Sequence, residues 1–127
     1  MERLLIAGQS PYEPVVGYSR AVASGGSVYV SGTAPIPAEG DPPESAYEQA
    51  RLCLELVGDA LAQAGASFGD VVRTRMYLTD RADGREVGRA HSEVFSEIRP
   101  ASTQVVVKAL LDPRWRVEIE AEAVLPA

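Results

Sequence analysis

Apolar residues recur along the chain at two different spacings, and the switch between them marks out its elements. From Glu44 to Ala64, the residues Ala46, Ala50, Cys53, Leu54, Val57, Leu61 and Ala64 fall in one stripe at about 100° per residue, the period of an amphipathic helix. Leu52, Leu56 and Ala60 widen that stripe, and Gly65 follows as a stop signal. Val87, Ala90, His91, Val94, Phe95 and Ile98 repeat the period over Ala82 to Ile98, a second helix ended by Arg99-Pro100. Elsewhere the period is two. Val71 to Thr79 places Val72, Thr74, Met76 and Leu78 on one side and Arg73, Arg75 and Tyr77 on the other. Arg116 to Val124 alternates strictly, with Val117, Ile119, Ala121 and Ala123 opposite Arg116, Glu118, Glu120 and Glu122. Thr103 to Val107 reads as a strand with three consecutive valines. Near the start, Gly17 to Ala23 and Val28 to Ser31 flank Ser24-Gly25-Gly26-Ser27, a hairpin turn, and Leu4 to Ala7 adds a short strand. The proline-rich stretch from Pro35 to Pro43 is a surface loop leading into the first helix, with Asp41 or Ser45 as its cap.

The order is therefore β-β-β-α-β-α-β-β, an α+β domain over residues 1–127. Two amphipathic helices cover only one face of a sheet. The run Val105, Val106 and Val107 puts apolar side chains on both faces, so part of the second face should be covered too. Another copy of the chain is the simplest cover.

Composition narrows the chemistry. A chain of 127 residues with 46% hydrophobic and 24% charged residues is a single globular domain, not a disordered segment. A net charge of −6 repels phosphate backbones, which argues against nucleic acid as partner. No apolar run approaches the roughly 20 residues of a membrane span, and the N-terminus does not read as a signal peptide. The expectation is a soluble, cytoplasmic protein. A lone cysteine, Cys53, and a lone histidine, His91, exclude an internal disulfide, a cysteine cluster and a multi-histidine site, so no metal and no cofactor is expected.

Several segments form a larger pattern. They are Gly17-Tyr18-Ser19-Arg20-Ala21-Val22, Val28-Tyr29-Val30-Ser31-Gly32, Ala64-Gly65-Ala66-Ser67-Phe68-Gly69-Asp70-Val71-Val72, Tyr77-Leu78-Thr79-Asp80, Arg99-Pro100-Ala101 and Val117-Glu118-Ile119-Glu120-Ala121. In this order and spacing, over residues 14–124, the chain resembles the RidA (YjgF) family of reactive intermediate deaminases, whose members also carry the names L-PSP endoribonuclease and translation inhibitor. The resemblance implies a mixed six-stranded sheet with two helices packed on one face, the chorismate-mutase-like fold. It also implies a homotrimer with a ligand cleft at each subunit interface, which would supply the partner that the valine run asks for.

The family's archetypal reaction is hydrolysis of 2-imino or enamine acids to 2-keto acids and ammonia. Such a site must clamp a carboxylate, place a water and move a proton. The family clamps with an arginine in a Pro-Ala-Arg motif, whose fork meets both carboxylate oxygens. Here the motif reads Pro100-Ala101-Ser102. Charged hydrogen bonds contribute about 1.5–3 kcal/mol each against about 1 for neutral ones, so a serine clamp is much weaker. The chain thus resembles the subgroup that lacks the arginine. Glu118 matches the family's acidic residue near the water and is the candidate proton carrier. Tyr18 and Ser31 match cleft residues, and Ser102 lines the cleft. Gly88 and His91 stand where the family often has Asn and Tyr, and Arg20 where it has Gln. Arg20, Arg114 or Arg116 could supply an anion clamp from another direction.

Blander readings stand beside these. Glu120 and Glu122 read as a polar face paired by Arg73 and Arg75, against a carboxylate pair or cation site. His91 reads as a packed, hydrogen-bonded histidine, and Cys53 as a core thiol. No histidine is evidently placed to activate Ser102. Two functions follow: an imine or enamine hydrolase with altered specificity, or a trimer that binds a small, carboxylate-bearing metabolite without turning it over. The ribonuclease label ranks last, because an acidic chain with one histidine and one lysine has little with which to bind or cleave RNA.

Overall fold

The computed structural model describes residues 2–127. The strands are β1 (Leu4–Ile6), β2 (Ala21–Ser24), β3 (Ser27–Thr33), β4 (Val71–Leu78), β5 (Ala101–Val106) and β6 (Val117–Val124), and the helices are α1 (Ala46–Gln63) and α2 (Gly84–Phe95). They form one mixed six-stranded sheet in the order β1-β2-β3-β6-β4-β5. Only β4 and β5 pair in parallel, and α2 is the crossover between them. The predicted α+β class and element order are the observed ones.

The core lies between the helices and one sheet face. Ala50, Cys53, Leu54, Val57 and Leu61 of α1 meet Val28 and Val30 of β3 and Val117, Ile119 and Ala121 of β6. Ser45, not Asp41, caps α1: its Oγ accepts the Glu48 N–H at 3.1 Å. Asp41 instead pairs with Arg114 at 3.0 Å. The Gly25-Gly26 turn has φ of 61° and 82°, a left-handed pair that side chains with a Cβ rarely adopt. Buried Gln49 ties the start of α1 to the loop before β6. Its Nε2 donates to the carbonyls of Pro43 (2.8 Å) and Arg114 (2.9 Å), and its Oε1 accepts the Arg116 N–H (2.7 Å).

Four boundaries differ from the periodic reading. First, β2 begins at Ala21, because one π-helical turn, Glu13–Gly17, precedes it. Glu13 is buried there and accepts N–H groups from Gly8 (2.9 Å) and Ser10 (3.3 Å). Second, α2 is shorter than Ala82 to Ile98: Arg81–Asp83 form a 3-10 turn ahead of it, with Asp80 accepting from Ala82 N–H at 2.9 Å. Third, a bulge between Val71 and Arg73 pushes Val72 out of alternation, so it is exposed and does not join Thr74, Met76 and Leu78 inside. Fourth, β5 starts at Ala101, and all six of its residues are exposed. It is an edge strand, with Val105 and Val106 on the surface of the isolated chain. No helix among the described residues is long and apolar enough to cross a membrane.

Candidate functional site

The sequence-predicted residues fall into two groups at different places on the sheet. The first group surrounds Gly32. Glu118 projects from β6 on the face away from the helices, opposite Tyr77 of β4. Its carboxylate lies over Gly32: a Cβ there would stand 2.7 Å from Glu118 Oε2, so a side chain at this position would displace the carboxylate. Burial raises the Glu118 pKa above its ordinary value, and nearby Arg20 partly opposes that rise. Glu118 therefore holds a proton more tightly, and as a carboxylate is a stronger base, than an exposed carboxyl.

Arg20 is buried, and both of its terminal nitrogens are engaged. Its Nη1 donates to the Gly32 carbonyl at 2.8 Å and to Thr33 Oγ1 at 2.9 Å, and its Nη2 donates to the Tyr18 hydroxyl at 3.4 Å. Its Nε faces Glu13 Oε2 at 3.6 Å and makes no hydrogen bond among the described residues. The guanidinium also lies 5.6 Å from the centre of the Tyr18 ring. Tyr18 follows the π-helical turn rather than sitting within a strand, yet it and Arg20 do face each other. Ser31, beside Gly32, donates its hydroxyl to the Ser19 carbonyl at 2.7 Å.

A cavity of about 230 Å³ opens next to this group. Tyr18, Arg20 and Gly32 line it, together with Ser10, Leu56 and Trp115, while Glu118, Ser31 and Ser102 do not. Sequence reasoning missed Trp115, which sits in the loop before β6 with Tyr12 packed edge-on at 6.3 Å. Its only signal was being the sole tryptophan. The other two clamp candidates are committed elsewhere. Arg116 forms a two-pronged pair with buried Asp83, Nε to Oδ2 at 3.1 Å and Nη2 to Oδ1 at 3.2 Å, and reaches the Glu44 carbonyl at 3.1 Å. Arg114 grips Asp112 at 2.8 Å on the surface and, through its hydrogen bonds, lowers the Asp112 pKa to about 2.

The second group centres on Thr74. Thr74 of β4 lies opposite Ser102 of β5 and points toward the helices. Its Oγ1 is 2.8 Å from Ser102 Oγ and 2.8 Å from His91 Nε2 of α2. Thr74 is completely buried, Ser102 is exposed, and burial lowers the pKa of half-buried His91. The His91 ring also lies against Phe95, with centroids 4.6 Å apart. Gln104 covers the adjacent α2 surface, and its Oε1 would be 3.2 Å from a Cβ at Gly84. A histidine therefore does reach Ser102, through one intervening hydroxyl, which periodicity did not reveal.

Within one chain the two groups do not meet. Ser102 and Glu118 lie on opposite faces of the sheet, and their β4 partners, Thr74 and Tyr77, are three residues apart, about 10 Å along the strand. The remaining carboxylates are paired as a polar face. The Tyr77 hydroxyl donates to Glu120, and Arg75 lies 3.6 Å from Glu120 and 3.5 Å from Glu122. No cluster of three or more potential metal ligands occurs among the described residues. Cys53 is buried against the Val117 carbonyl at 3.8 Å, and burial holds its thiol well above the ordinary pKa, so it is not a reactive thiolate.

Comparison with known proteins places this geometry. The family model described as Endoribonuclease L-PSP matches residues 4–125. The crystal structure of Rv2704 from Mycobacterium tuberculosis, of the YjgF/YER057c/UK114 family, superposes with a TM-score of 0.90 at 43% identity, covering 98% of this chain and 100% of that one. A protein of Escherichia coli named "Putative reactive intermediate deaminase TdcF" is 33% identical over 113 residues, 87% of this chain and 88% of its own. The crystal structure of E. coli TdcF with bound serine has a TM-score of 0.81 at 30% identity, covering 96% of this chain and 94% of that one. On sequence and fold together, the chain belongs to the YjgF, or endoribonuclease L-PSP, family.

Proposed function

We propose that the chain hydrolyses small imines or enamines, with a specificity shifted from that of family members that carry the clamp arginine. One observation carries this reading: a half-buried carboxyl, Glu118, held over Gly32 with its pKa raised and Tyr18 and Arg20 at hand. The substrate carbon is already electrophilic, so little machinery is needed. Glu118 takes a proton from water as the water oxygen bonds to the iminium carbon. The same carboxyl then returns the proton to the nitrogen, and the carbon–nitrogen bond breaks to release ammonia as the carbinol O–H proton passes to the Glu118 carboxylate, leaving a keto compound; that proton departs with the ammonia as ammonium. Tyr18 and Ser31 offer hydroxyls to position the substrate. Serine-bound TdcF gives a guide to ligand size, a small amino-acid-like molecule with a carboxylate.

The separation of Ser102 from Glu118 supports a homotrimer in which two copies complete each cleft. The exposed edge strand β5, with Val105 and Val106 on its surface, is the surface offered to a neighbour. The second reading is a trimer that binds a metabolite without turning it over. Two facts favour it: Ser102 stands at the clamp position, and Arg20, Arg114 and Arg116 are all engaged with protein groups.

The decisive experiment generates 2-aminoacrylate or a bulkier imino acid enzymatically and follows its decay. Faster decay with protein, falling about 10²- to 10⁴-fold in Glu118→Gln, is the expected result. Equal decay at stoichiometric protein overturns the hydrolase reading for those substrates. A gain of activity in Ser102→Arg assigns the altered specificity to the missing clamp.

A further inference from the structure

We propose that Ser102, Thr74 and His91 act as nucleophile, relay and base, giving the chain a serine that attacks small activated acyl compounds such as esters or thioesters with good leaving groups. The argument is independent of Glu118, which lies on the other face of the sheet.

The geometry is a continuous hydrogen-bonded line, Ser102 Oγ to Thr74 Oγ1 at 2.8 Å and Thr74 Oγ1 to His91 Nε2 at 2.8 Å. A threonine hydroxyl has one proton to give and lone pairs to accept with, so the line has two proton arrangements. In the arrangement the structure holds at rest, Thr74 donates to Ser102, and His91 donates to Thr74. In the other, Ser102 donates to Thr74 and Thr74 donates to His91. The second is the reactive one, because it draws the proton off Ser102. Thr74 is completely buried, so no solvent competes for its hydroxyl. Three separate elements fix the line: the β4–β5 register sets Thr74 against Ser102, and the Phe95 ring holds His91 from α2. Only the Ser102 end is exposed, on an edge strand with no neighbour on its outer side within the chain. Ser102 and His91 are also two of the positions where the chain departs from the pattern it resembles.

The step is an acyl transfer. Ser102 Oγ bonds to the acyl carbon as its proton passes to Thr74 Oγ1 and the Thr74 proton passes to His91 Nε2. The tetrahedral adduct then loses its alkoxide or thiolate, which takes a proton back through the same line. Water attacks the acyl-serine by the same route, releasing a carboxylic acid and restoring Ser102.

The test uses the full chain with diisopropyl fluorophosphate as covalent probe and p-nitrophenyl acetate as substrate, read by peptide mass spectrometry and nitrophenolate release. One adduct, on Ser102, is expected. Thr74→Val keeps the shape and loses the hydroxyl, so labelling should fall about 100-fold, and Thr74→Ser should restore it. His91→Asn should match the valine variant. If Thr74→Val fails to fold, Thr74→Ser and His91→Asn decide between them. The proposal is overturned by an adduct elsewhere, by no adduct, or by a folded Thr74→Val or His91→Asn that labels as fast as the parent.

Discussion

Around Gly32 the polar side chains are held by backbone, whereas around Ser102 they are held by one another. Arg20 donates to the Gly32 carbonyl, Glu13 accepts the N–H groups of Gly8 and Ser10, and Ser31 is tied to the Ser19 carbonyl. Backbone anchors of this kind do not rotate away, so the frame around Gly32 is rigid before any ligand arrives. At the Ser102 end the line runs through a hydroxyl and an imidazole, on a strand with one open edge. As it stands, Thr74 donates to Ser102. The first region is built to position, the second to transfer, and substitutions should separate them.

The largest expected effect is at the rigid end. Arg20→Met removes a buried cation whose ion-pair partner, Glu13, is also buried. It leaves Glu13 uncompensated and strips the donors from the Gly32 carbonyl and Thr33 Oγ1. Loss of one member of a buried pair costs about 3–5 kcal/mol, so chemical denaturation should show a drop of that order. A loss under about 1 kcal/mol would mean that Arg20 is held far less tightly than its contacts imply.

The comparison sharpens next at the open edge. Val105→Lys puts a charge on an exposed position of β5, which costs the isolated fold less than about 0.5 kcal/mol. Were β5 the contact between copies, the same change would break the assembly. Light scattering should show the parent as a trimer and the variant as a monomer whose circular dichroism is still that of the folded chain. Equal masses would take β5 out of the interface.

How much of this was legible depended on sequence distance. The periods of 3.6 and 2 were enough for the element order, and for Glu118 on the half-covered face of β6. They were enough to place Thr74 inward and His91 on the apolar face of α2. That these two meet Ser102 was not legible, since His91 is 17 and Ser102 28 residues from Thr74 and the α2 crossover sets their meeting. The Val72 bulge carries no glycine or proline to announce it. The commitment of Arg116 to Asp83, 33 residues away, was equally silent, and so a structural arginine resembled a free clamp.

Gly32→Ala tests the contact that defines the rigid end. The new methyl would meet Glu118 Oε2 at 2.7 Å, and the end of a flexible side chain can swing aside. Stability should therefore change by about 1 kcal/mol or less, while turnover that depends on Glu118 falls at least tenfold, because a displacement of about 1 Å can cost 10²-fold. An unfolded variant would mean that the carboxylate cannot move.

The smallest effect has the most informative sign. The Glu118 pKa is raised by folding, so the folded state binds its proton more tightly than the unfolded one. Its contribution to stability is fully present below the unfolded value, near 4.5, and is lost as pH rises through the folded one. At neutral pH the ionised carboxylate is therefore a net cost that the fold carries, though Arg20 reduces it. Glu118→Gln should raise the thermal midpoint at pH 7 and lose that advantage below pH 4.5, even as it removes proton transfer. His91 has the opposite dependence. Its pKa is lowered by burial, so folding disfavours its charged form, and its contribution weakens as pH falls from about 6.5. Thermal scans of Glu118→Gln and His91→Asn across pH 4 to 8 should therefore diverge from the parent at opposite ends. A Glu118→Gln protein less stable than the parent at pH 7 would show that Arg20 outweighs burial, and that Glu118 is a structural anion rather than a poised proton carrier.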